Sequence, residues 1–228
     1  MDLRIKDISE LLKVDEKTIH QWIKEKKIPC YKINHQYRFN KTEINEWILS
    51  RKTEFSSSLI NLIASDIYDL SALIEKGGIA ADVRGKNREE VFKDALSKIF
   101  IPPDLSREEI FNALLSREEL MPTAIGNGIA IPHPRNPVVT NPMNANVSIC
   151  YLHNPIDFEA LDNKPVHTLF ILLTATPKMH LNVLSKISYF CQEKNLLELL
   201  FSKSKKETVM NFIKQKESDW LKGVRSKE

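Results

Sequence analysis

The sequence predicts two domains, a small α+β head followed by a larger, layered α/β body. Residues 1–52 contain no glycine and hold 12 Lys or Arg against 8 Asp or Glu, whereas residues 53–202 hold 13 against 18. Apolar residues recur at helical spacing in the head, while helical segments alternate with apolar strand candidates in the body. A chain of 228 residues has enough material for two cores.

Three short amphipathic helices form the predicted head. Asp15 is positioned to cap the second helix, and Asn40 with Glu43 three residues later resembles a capping box at the start of the third. The apolar positions that define the helices are Ile5, Ile8 and Leu12, then Ile19, Trp22 and Ile23, then Ile44, Trp47 and Ile48.

The first two helices have helix-turn-helix spacing, because only residues 13–15 separate them. Lys17, Gln21 and Lys24 lie on the polar face of the second helix, which could enter a major groove or be an ordinary solvated surface. Residues 28–33 and 37–39 flank Asn34-His35-Gln36 and predict a small hairpin, or wing. From it, Tyr37 and Arg38 would reach phosphate or the minor groove.

These features resemble the excisionase-like branch of the MerR-type winged helix-turn-helix family over residues 2–50. The match is carried by Thr18-Ile19-x-x-Trp22-Ile23, Ile28-Pro29 and Tyr37-Arg38-Phe39. The family often has glycine where this chain has Lys13, Lys26 and Asn34, so those turns are expected to differ. The resemblance implies a DNA-binding domain over residues 1–52 that contacts duplex DNA through Lys17, Thr18, Gln21, Lys24, Tyr37 and Arg38.

A linker is expected at residues 53–65, where three consecutive serines interrupt the pattern. Leu59, Ile60, Leu62 and Ile63 are nevertheless at helical spacing, so a connecting helix that mediates self-association is the alternative. A homodimer is therefore a candidate form of the protein.

The body is predicted to span residues 66–228. Residues 88–99 and 107–115 have charged first turns and apolar faces, as expected of helices, and strands are expected around Ile129, at 147–151 and at 169–173. A final helix follows, with Val209, Phe212 and Ile213 as its apolar stripe.

One histidine, His133, follows a glycine-containing turn in the run Gly126-Asn127-Gly128-Ile129-Ala130-Ile131-Pro132-His133. Glycines permit positive φ, N–H groups in such a turn can bind an anion, and a neutral imidazole is a nucleophile. The pattern therefore predicts a histidine that accepts a phosphoryl group. A plain strand-to-turn junction, with the histidine bonded to a backbone carbonyl, remains an alternative. A dinucleotide site is disfavoured, because the third glycine is absent and two prolines follow.

Residues 66–220 resemble the enzyme IIA domains of the phosphoenolpyruvate-dependent phosphotransferase system, of the fructose/mannitol and nitrogen-regulatory type. Arg117-Glu118-Glu119-Leu120 and the run from Thr123 to His133 carry the resemblance, and it continues through residues 155–158 and 165–173 to His180-Leu181 and Leu184. It implies a mixed sheet flanked by helices. It also implies that the histidine phosphocarrier protein phosphorylates His133 and that Arg117 and His180 support the transfer. The turn residues Gly126, Asn127 and Gly128 are expected to bind the phosphate oxygens through their N–H groups.

The chain departs from this family directly after His133, where Pro134 replaces a glycine or small residue. Proline has no N–H, so a phosphate contact from that position is lost. Arg135 could compensate as a nearby cation or could be an ordinary solvated arginine.

Composition excludes several classes. The three cysteines, Cys30, Cys150 and Cys191, are scattered, which argues against a disulfide framework and for a reducing compartment. Cys150 and His153 have metal-like spacing but no second pair, so neither a metal nor another cofactor is expected. No secretory signal or membrane-spanning run is evident, so a cytoplasmic protein without membrane insertion is expected.

These observations predict a transcriptional regulator linked to the phosphotransferase system, in which phosphorylation of the body controls the DNA-binding head. One alternative is a phosphocarrier that passes phosphate from His133 to a sugar-specific IIB partner. Another, favoured by Pro134, is a protein-binding module that is never phosphorylated.

Overall fold

The computed structural model describes residues 2–33, 35–50 and 68–225. The chain divides into two compact units, Met1–Ile60 and Asn61–Glu228. The predicted linker at 53–65, with its alternative of a connecting helix, lies outside the described residues.

In its described residues, the head contains three helices and a three-stranded antiparallel sheet in the order β1-β3-β2. The predicted helices and hairpin are confirmed, and strand β1 is an addition, because Asp2 and Leu3 pair with Asn40 and Phe39. In chain order the elements are β1 (Asp2–Leu3), α1 (Ile5–Leu12), α2 (Glu16–Lys24), β2 (Tyr31–Ile33), β3 (Gln36–Asn40) and α3 (Lys41–Ser50).

Local side-chain caps set the helix boundaries of the head, as the sequence predicts. The Asp15 carboxylate accepts a hydrogen bond from the Thr18 N–H at 2.7 Å, and the Asn40 side chain accepts one from the Glu43 N–H at 3.3 Å. Lys13 and Lys26, which stand where the winged family often has glycine, both have φ of +53°. The turns thus keep a left-handed conformation that is costly for lysine.

The body contains a five-stranded mixed sheet flanked by helices, which confirms the predicted architecture. The strand order is β4-β7-β8-β6-β5, with parallel pairing of β4 with β7 and of β6 with β8, and antiparallel pairing elsewhere. The elements are α4 (Leu70–Gly77), β4 (Ile79–Val83), α5 (Arg88–Lys98), α6 (Arg107–Leu120), β5 (Ala124–Gly126), β6 (Ile129–Ala130), β7 (Asn146–Ile156), β8 (Val166–Leu173), α7 (Pro177–Phe190), α8 (Lys194–Phe201) and α9 (Lys206–Arg225).

The core of the body lies on the two faces of the central strands β7 and β8. Every residue of β8 except His167 is buried, so this strand is apolar almost throughout, as expected between two helical layers. On β7, the buried Ser148 hydroxyl donates to the Gly77 carbonyl at 3.0 Å and so fastens α4 to the sheet. On α9, Val209 and Ile213 are buried, which confirms the predicted stripe of the final helix.

A buried ion pair ties α7, α9 and the start of α4 together. The Lys186 ammonium lies 2.8 Å from a Glu217 carboxylate oxygen, and the same carboxylate accepts the N–H groups of Leu70 and Ser71 at 2.7 and 2.8 Å. Lys186 also donates to the Tyr68 carbonyl. A buried charge pair of this kind needs further hydrogen bonds to be stable, and this Lys186–Glu217 clamp has three besides the ion pair itself.

Among the described helices, none is long and apolar enough to cross a membrane.

Candidate active site

His133 lies just beyond the carboxyl end of β6. The preceding carbonyl, of Pro132, accepts the Leu172 N–H at 3.0 Å, which holds this stretch against the last residues of β8. Nδ1 of the His133 ring lies 2.7 Å from the Ile131 carbonyl oxygen. The carbonyl-bonded histidine foreseen in the strand-to-turn alternative is therefore present, and the same bond orients the ring.

Arg117, from the last turn of α6, faces the other ring nitrogen. Its Nε–H donates to His133 Nε2 at 3.2 Å, and its Nη1 donates to the Met121 carbonyl at 2.8 Å. Because a carbonyl oxygen only accepts, His133 Nδ1 carries the ring proton, and Nε2 holds the lone pair. The two hydrogen bonds thus distinguish the two ring nitrogens.

His180 approaches from the first turn of α7. Its ring centroid lies 4.7 Å from that of His133, with the planes inclined by 57°. Thr174, after the end of β8, places its hydroxyl oxygen 3.4 Å from His180 Nδ1, and Thr176 caps the helix by accepting the Met179 N–H at 3.1 Å. The structure therefore gathers Arg117, His133 and His180, which are all buried, from three separate elements.

The glycine turn, Gly126–Gly128, has positive φ at all three residues, as glycine-rich anion-binding turns do. Its Asn127 N–H donates at 2.8 Å to the Asp162 carboxylate, so the anion it holds is one of the protein's own side chains. Although burial alone would raise the pKa of Asp162, hydrogen bonds from the N–H groups of Asn127 and Lys164 lower it below its ordinary value. Asp162 therefore stays charged and keeps the turn occupied at neutral pH.

The glycine turn and His133 lie at opposite ends of β8. The Gly128 carbonyl accepts the N–H groups of His167 and Thr168, near the first residue of the strand, whereas Pro132 accepts from Leu172, near the last. At roughly 3.3 Å per residue, the two ends are about 15 Å apart. The structure does not bring Gly126, Asn127 and Gly128 to the His133 ring.

The residues that follow His133 include Arg135, the last of the predicted phosphate contacts. Pro134 is buried and supplies no N–H, while Arg135 is exposed in the next stretch of chain. The predicted contact between Arg135 and a phosphate stays a prediction.

Comparison with known proteins finds a family match for each of the two domains. Residues 72–216 match the family model of the phosphoenolpyruvate-dependent sugar phosphotransferase system (PTS), EIIA 2, and residues 3–52 match a helix-turn-helix domain. The chain belongs to the EIIA type 2 family. The matched EIIA domain contains Arg117, His133 and His180.

Relatives of the EIIA domain include nitrogen regulatory proteins and a fructose-specific component of the PTS. The nitrogen regulatory protein of Pseudomonas aeruginosa is 31% identical over 147 residues, which cover 63% of this chain and 94% of that protein. The fructose-specific EIIABC component of the PTS in Bacillus subtilis is 26% identical over 149 residues, or 64% of this chain and 23% of that protein. The crystal structure of nitrogen regulatory protein IIA-Ntr from Neisseria meningitidis is 30% identical, with a TM-score of 0.56 and coverage of 63% of this chain and 97% of that one.

The helix-turn-helix domain presents the predicted polar face on α2. Lys17, Gln21 and Lys24 are exposed at spacings of four and three residues, which places them on one side of the helix. Gln21 donates to the Glu25 carboxylate at 2.8 Å. Thr18 is half-buried, and its backbone N–H is used by the Asp15 cap.

The predicted wing is the β2–β3 hairpin of the same domain. Tyr37 and Arg38 are half-buried; Arg38 donates to the Gln36 side chain at 2.8 Å, and the Lys32 ammonium lies 4.9 Å from the Tyr37 ring centroid. Lys32 is exposed and adds a cation to the hairpin that the sequence did not single out.

Several supporting residues of the EIIA domain were not predicted. Thr174 orients His180, Asp162 fills the glycine turn, and Glu118 binds Thr123 through both carboxylate oxygens. Only Glu118 had a signal in the sequence, because it directly follows Arg117 inside the family motif.

Proposed function

We propose that this protein is a transcriptional regulator linked to the phosphotransferase system, in which phosphorylation of His133 controls the helix-turn-helix domain. The observation that carries the proposal is the His133 ring, whose Nδ1 is fixed by the Ile131 carbonyl while Nε2 faces Arg117. Membership of the EIIA type 2 family supports a phosphocarrier protein as the donor.

The proposed step is direct transfer between two histidines. His133 Nε2 attacks the phosphorus of a phosphohistidine on the phosphocarrier, a new N–P bond forms, and the donor N–P bond breaks with its electron pair returning to the donor ring. The attacking ring gains positive charge, which its Nδ1–H shares with the Ile131 carbonyl. Positioning and charge neutralisation are sufficient for this step.

Arg117 and His180 supply that neutralisation. A guanidinium offers fixed, permanently charged donors that suit phosphate oxygens, and Arg117 is already within hydrogen-bond distance of the nitrogen that would carry the phosphate. His180 lies in the first turn of α7, where the helix dipole favours negative charge. Removing either side chain should have a larger effect on the rate of phosphorylation than on the free energy of unfolding.

Intact mass measurement tests the phosphoacceptor role. The full chain is incubated with phosphoenolpyruvate and the general phosphotransferase proteins, and it should gain the mass of one acid-labile phosphoryl group. His133→Ala should not gain it. His153→Ala is the matched control, since His153 is an exposed histidine paired with Asp82 at 2.6 Å. Absence of the adduct from the wild-type chain would refute the role.

The link to DNA is tested by affinity in three states. Phosphate adds negative charge to the EIIA domain, which can shift dimerisation, contacts of the DNA-binding domain or partner binding. Duplex affinity is compared for the unphosphorylated chain, the phosphorylated chain and His133→Ala treated in the same way. A difference confined to the phosphorylated chain is expected; three equal affinities would contradict phosphorylation control.

Direct DNA binding has its own matched pair of variants. Lys17→Ala removes a cation from the α2 face and should weaken binding to all sequences, whereas Lys6→Ala removes an exposed cation from α1 and should not. A homodimer is the expected form, because helix-turn-helix proteins commonly read two half-sites. The expected location is the cytoplasm.

A second candidate function is transfer of phosphate onward to a sugar-specific IIB component. The similarity to a fructose-specific EIIABC component favours it. Appearance of label on a IIB protein, with DNA affinity indifferent to phosphorylation, would select this function over the first.

A further inference from the structure

We propose that Glu118 and Thr123 are positioning residues for His133, because they fix the carbonyl group that determines which ring nitrogen is the nucleophile. The inference rests on the proposed phosphoacceptor role of His133. It concerns two side chains that do not touch the ring themselves.

Glu118, near the end of α6, accepts two hydrogen bonds from Thr123. One carboxylate oxygen accepts the Thr123 N–H at 3.1 Å, and the other accepts the Thr123 hydroxyl at 2.6 Å. Glu118 is 2% exposed, so water does not compete for these bonds. The residue that follows Arg117 therefore holds the start of β5 through two simultaneous hydrogen bonds.

Thr123 passes this constraint to the histidine through Ile131. The Thr123 carbonyl accepts the Ile131 N–H at 3.1 Å, and the Ile131 carbonyl accepts the His133 Nδ1–H at 2.7 Å. Hydrogen bonds thus link the Glu118 carboxylate to the imidazole through the backbones of Thr123 and Ile131. A shift of Thr123 moves the acceptor that keeps the proton on Nδ1 and the lone pair on Nε2.

The cost of burying Glu118 argues that the carboxylate has a specific role. Burial raises its pKa, and the hydrogen bonds from Thr123 and the nearby charges of Arg117 and Arg88 offset only part of that effect. An Arg88 nitrogen lies 3.9 Å away, and Arg88 is shared with Glu159. Apolar packing would fasten a helix end at lower cost. A carboxylate adds what apolar packing lacks, namely two acceptors that fix Thr123 in one orientation.

Two substitutions at position 123 distinguish a role in positioning His133 from a role in merely attaching the end of α6 to β5. Thr123→Val keeps the shape and the backbone bonds but loses the hydroxyl, while Thr123→Ser restores the hydroxyl. Ser148→Ala is the matched control, since it loses a buried hydroxyl bonded to the Gly77 carbonyl on a different part of the sheet. Glu118→Gln, which exchanges one acceptor for a donor, is the second variant if Thr123→Val does not fold.

The decisive readout is the tautomer of His133, measured by ¹⁵N NMR on the unphosphorylated full chain. Thr123→Val should reduce the population with the proton on Nδ1, and Thr123→Ser should restore it. The maximal rate of phosphorylation should fall about tenfold in Thr123→Val, with little change in the donor concentration for half-maximal rate. Ser148→Ala should lose stability but change neither quantity.

A wild-type tautomer and rate in both Thr123→Val and Glu118→Gln would overturn the inference. Failure of the wild-type chain to accept phosphate would refute the proposed function instead, and the tautomer measurement would still test the positioning role.

Discussion

Gly128, the second glycine of the glycine turn, can be tested for the reason that no side chain fits there. Gly128 has φ of +73°, and a Cβ added there would lie 2.3 Å from His167 Cδ2 and 2.5 Å from His167 Nε2. Gly128→Ala therefore introduces two separate penalties, a left-handed backbone and a clash with an imidazole. Only the second depends on His167.

The two penalties can be estimated independently. A left-handed residue with a side chain costs roughly 1–2 kcal/mol, and forcing an extra methyl into packed space costs roughly 1–3 kcal/mol. Gly128→Ala should thus lower the free energy of unfolding by about 2–5 kcal/mol. In a His167→Ala background the clash is gone, so the same change should cost only about 1–2 kcal/mol.

Hydrogen exchange read by mass spectrometry provides the assay, because it reports opening of β7 and β8 separately from the helix-turn-helix domain. Four chains are compared: wild type, each single variant and the double variant. An equal cost of Gly128→Ala in both backgrounds would refute the clash. Phosphorylation is measured on the same chains, and the double variant should match His167→Ala. A slower double variant would favour the phosphate-binding role predicted for the turn.

Three further predictions concern other parts of the chain. Burial raises the pKa of Cys150 and of Cys191 to about 12, so near pH 8 a thiol reagent should label only the half-buried Cys30 in the folded protein and all three after unfolding. Lys13→Gly should raise the melting temperature of the helix-turn-helix domain, because relief of a left-handed lysine, roughly 1–2 kcal/mol, exceeds the entropic cost of glycine, roughly 0.5–1 kcal/mol. Lys24→Ala should reduce the slope of log affinity for DNA against log salt by about 1 if Lys24 contacts a phosphate; an unchanged slope would exclude that contact.

Interactions between near neighbours were predictable from the sequence alone. The Asp15 and Asn40 caps each join residues three apart, so residue type and spacing suffice to foresee them. Strand β1 could not be predicted, because two residues are too few to show the alternating pattern of a strand. Its pairing with Phe39 and Asn40 joins residues that are far apart in the sequence.

The active site shows the limit of local reasoning. Arg117 and His180 stand 16 and 47 positions from His133 in the chain, and no periodicity brings them together. Their predicted role came from the family resemblance, and the structure shows that they lie close to His133. The positive φ of the glycine turn followed from its composition, but its occupant did not, since Asp162 is 35 residues away and outside any local motif.

The Lys186–Glu217 clamp has a practical consequence for anyone subcloning this protein. The family match covers residues 72–216, so a fragment trimmed to homology would discard Glu217 together with Leu70 and Ser71. Lys186 would then lose its carboxylate partner, and the free energy of unfolding should fall by about 3–5 kcal/mol. Such a fragment should be much less stable, and its failure in a transfer assay would reflect where it was cut rather than what the histidine can do.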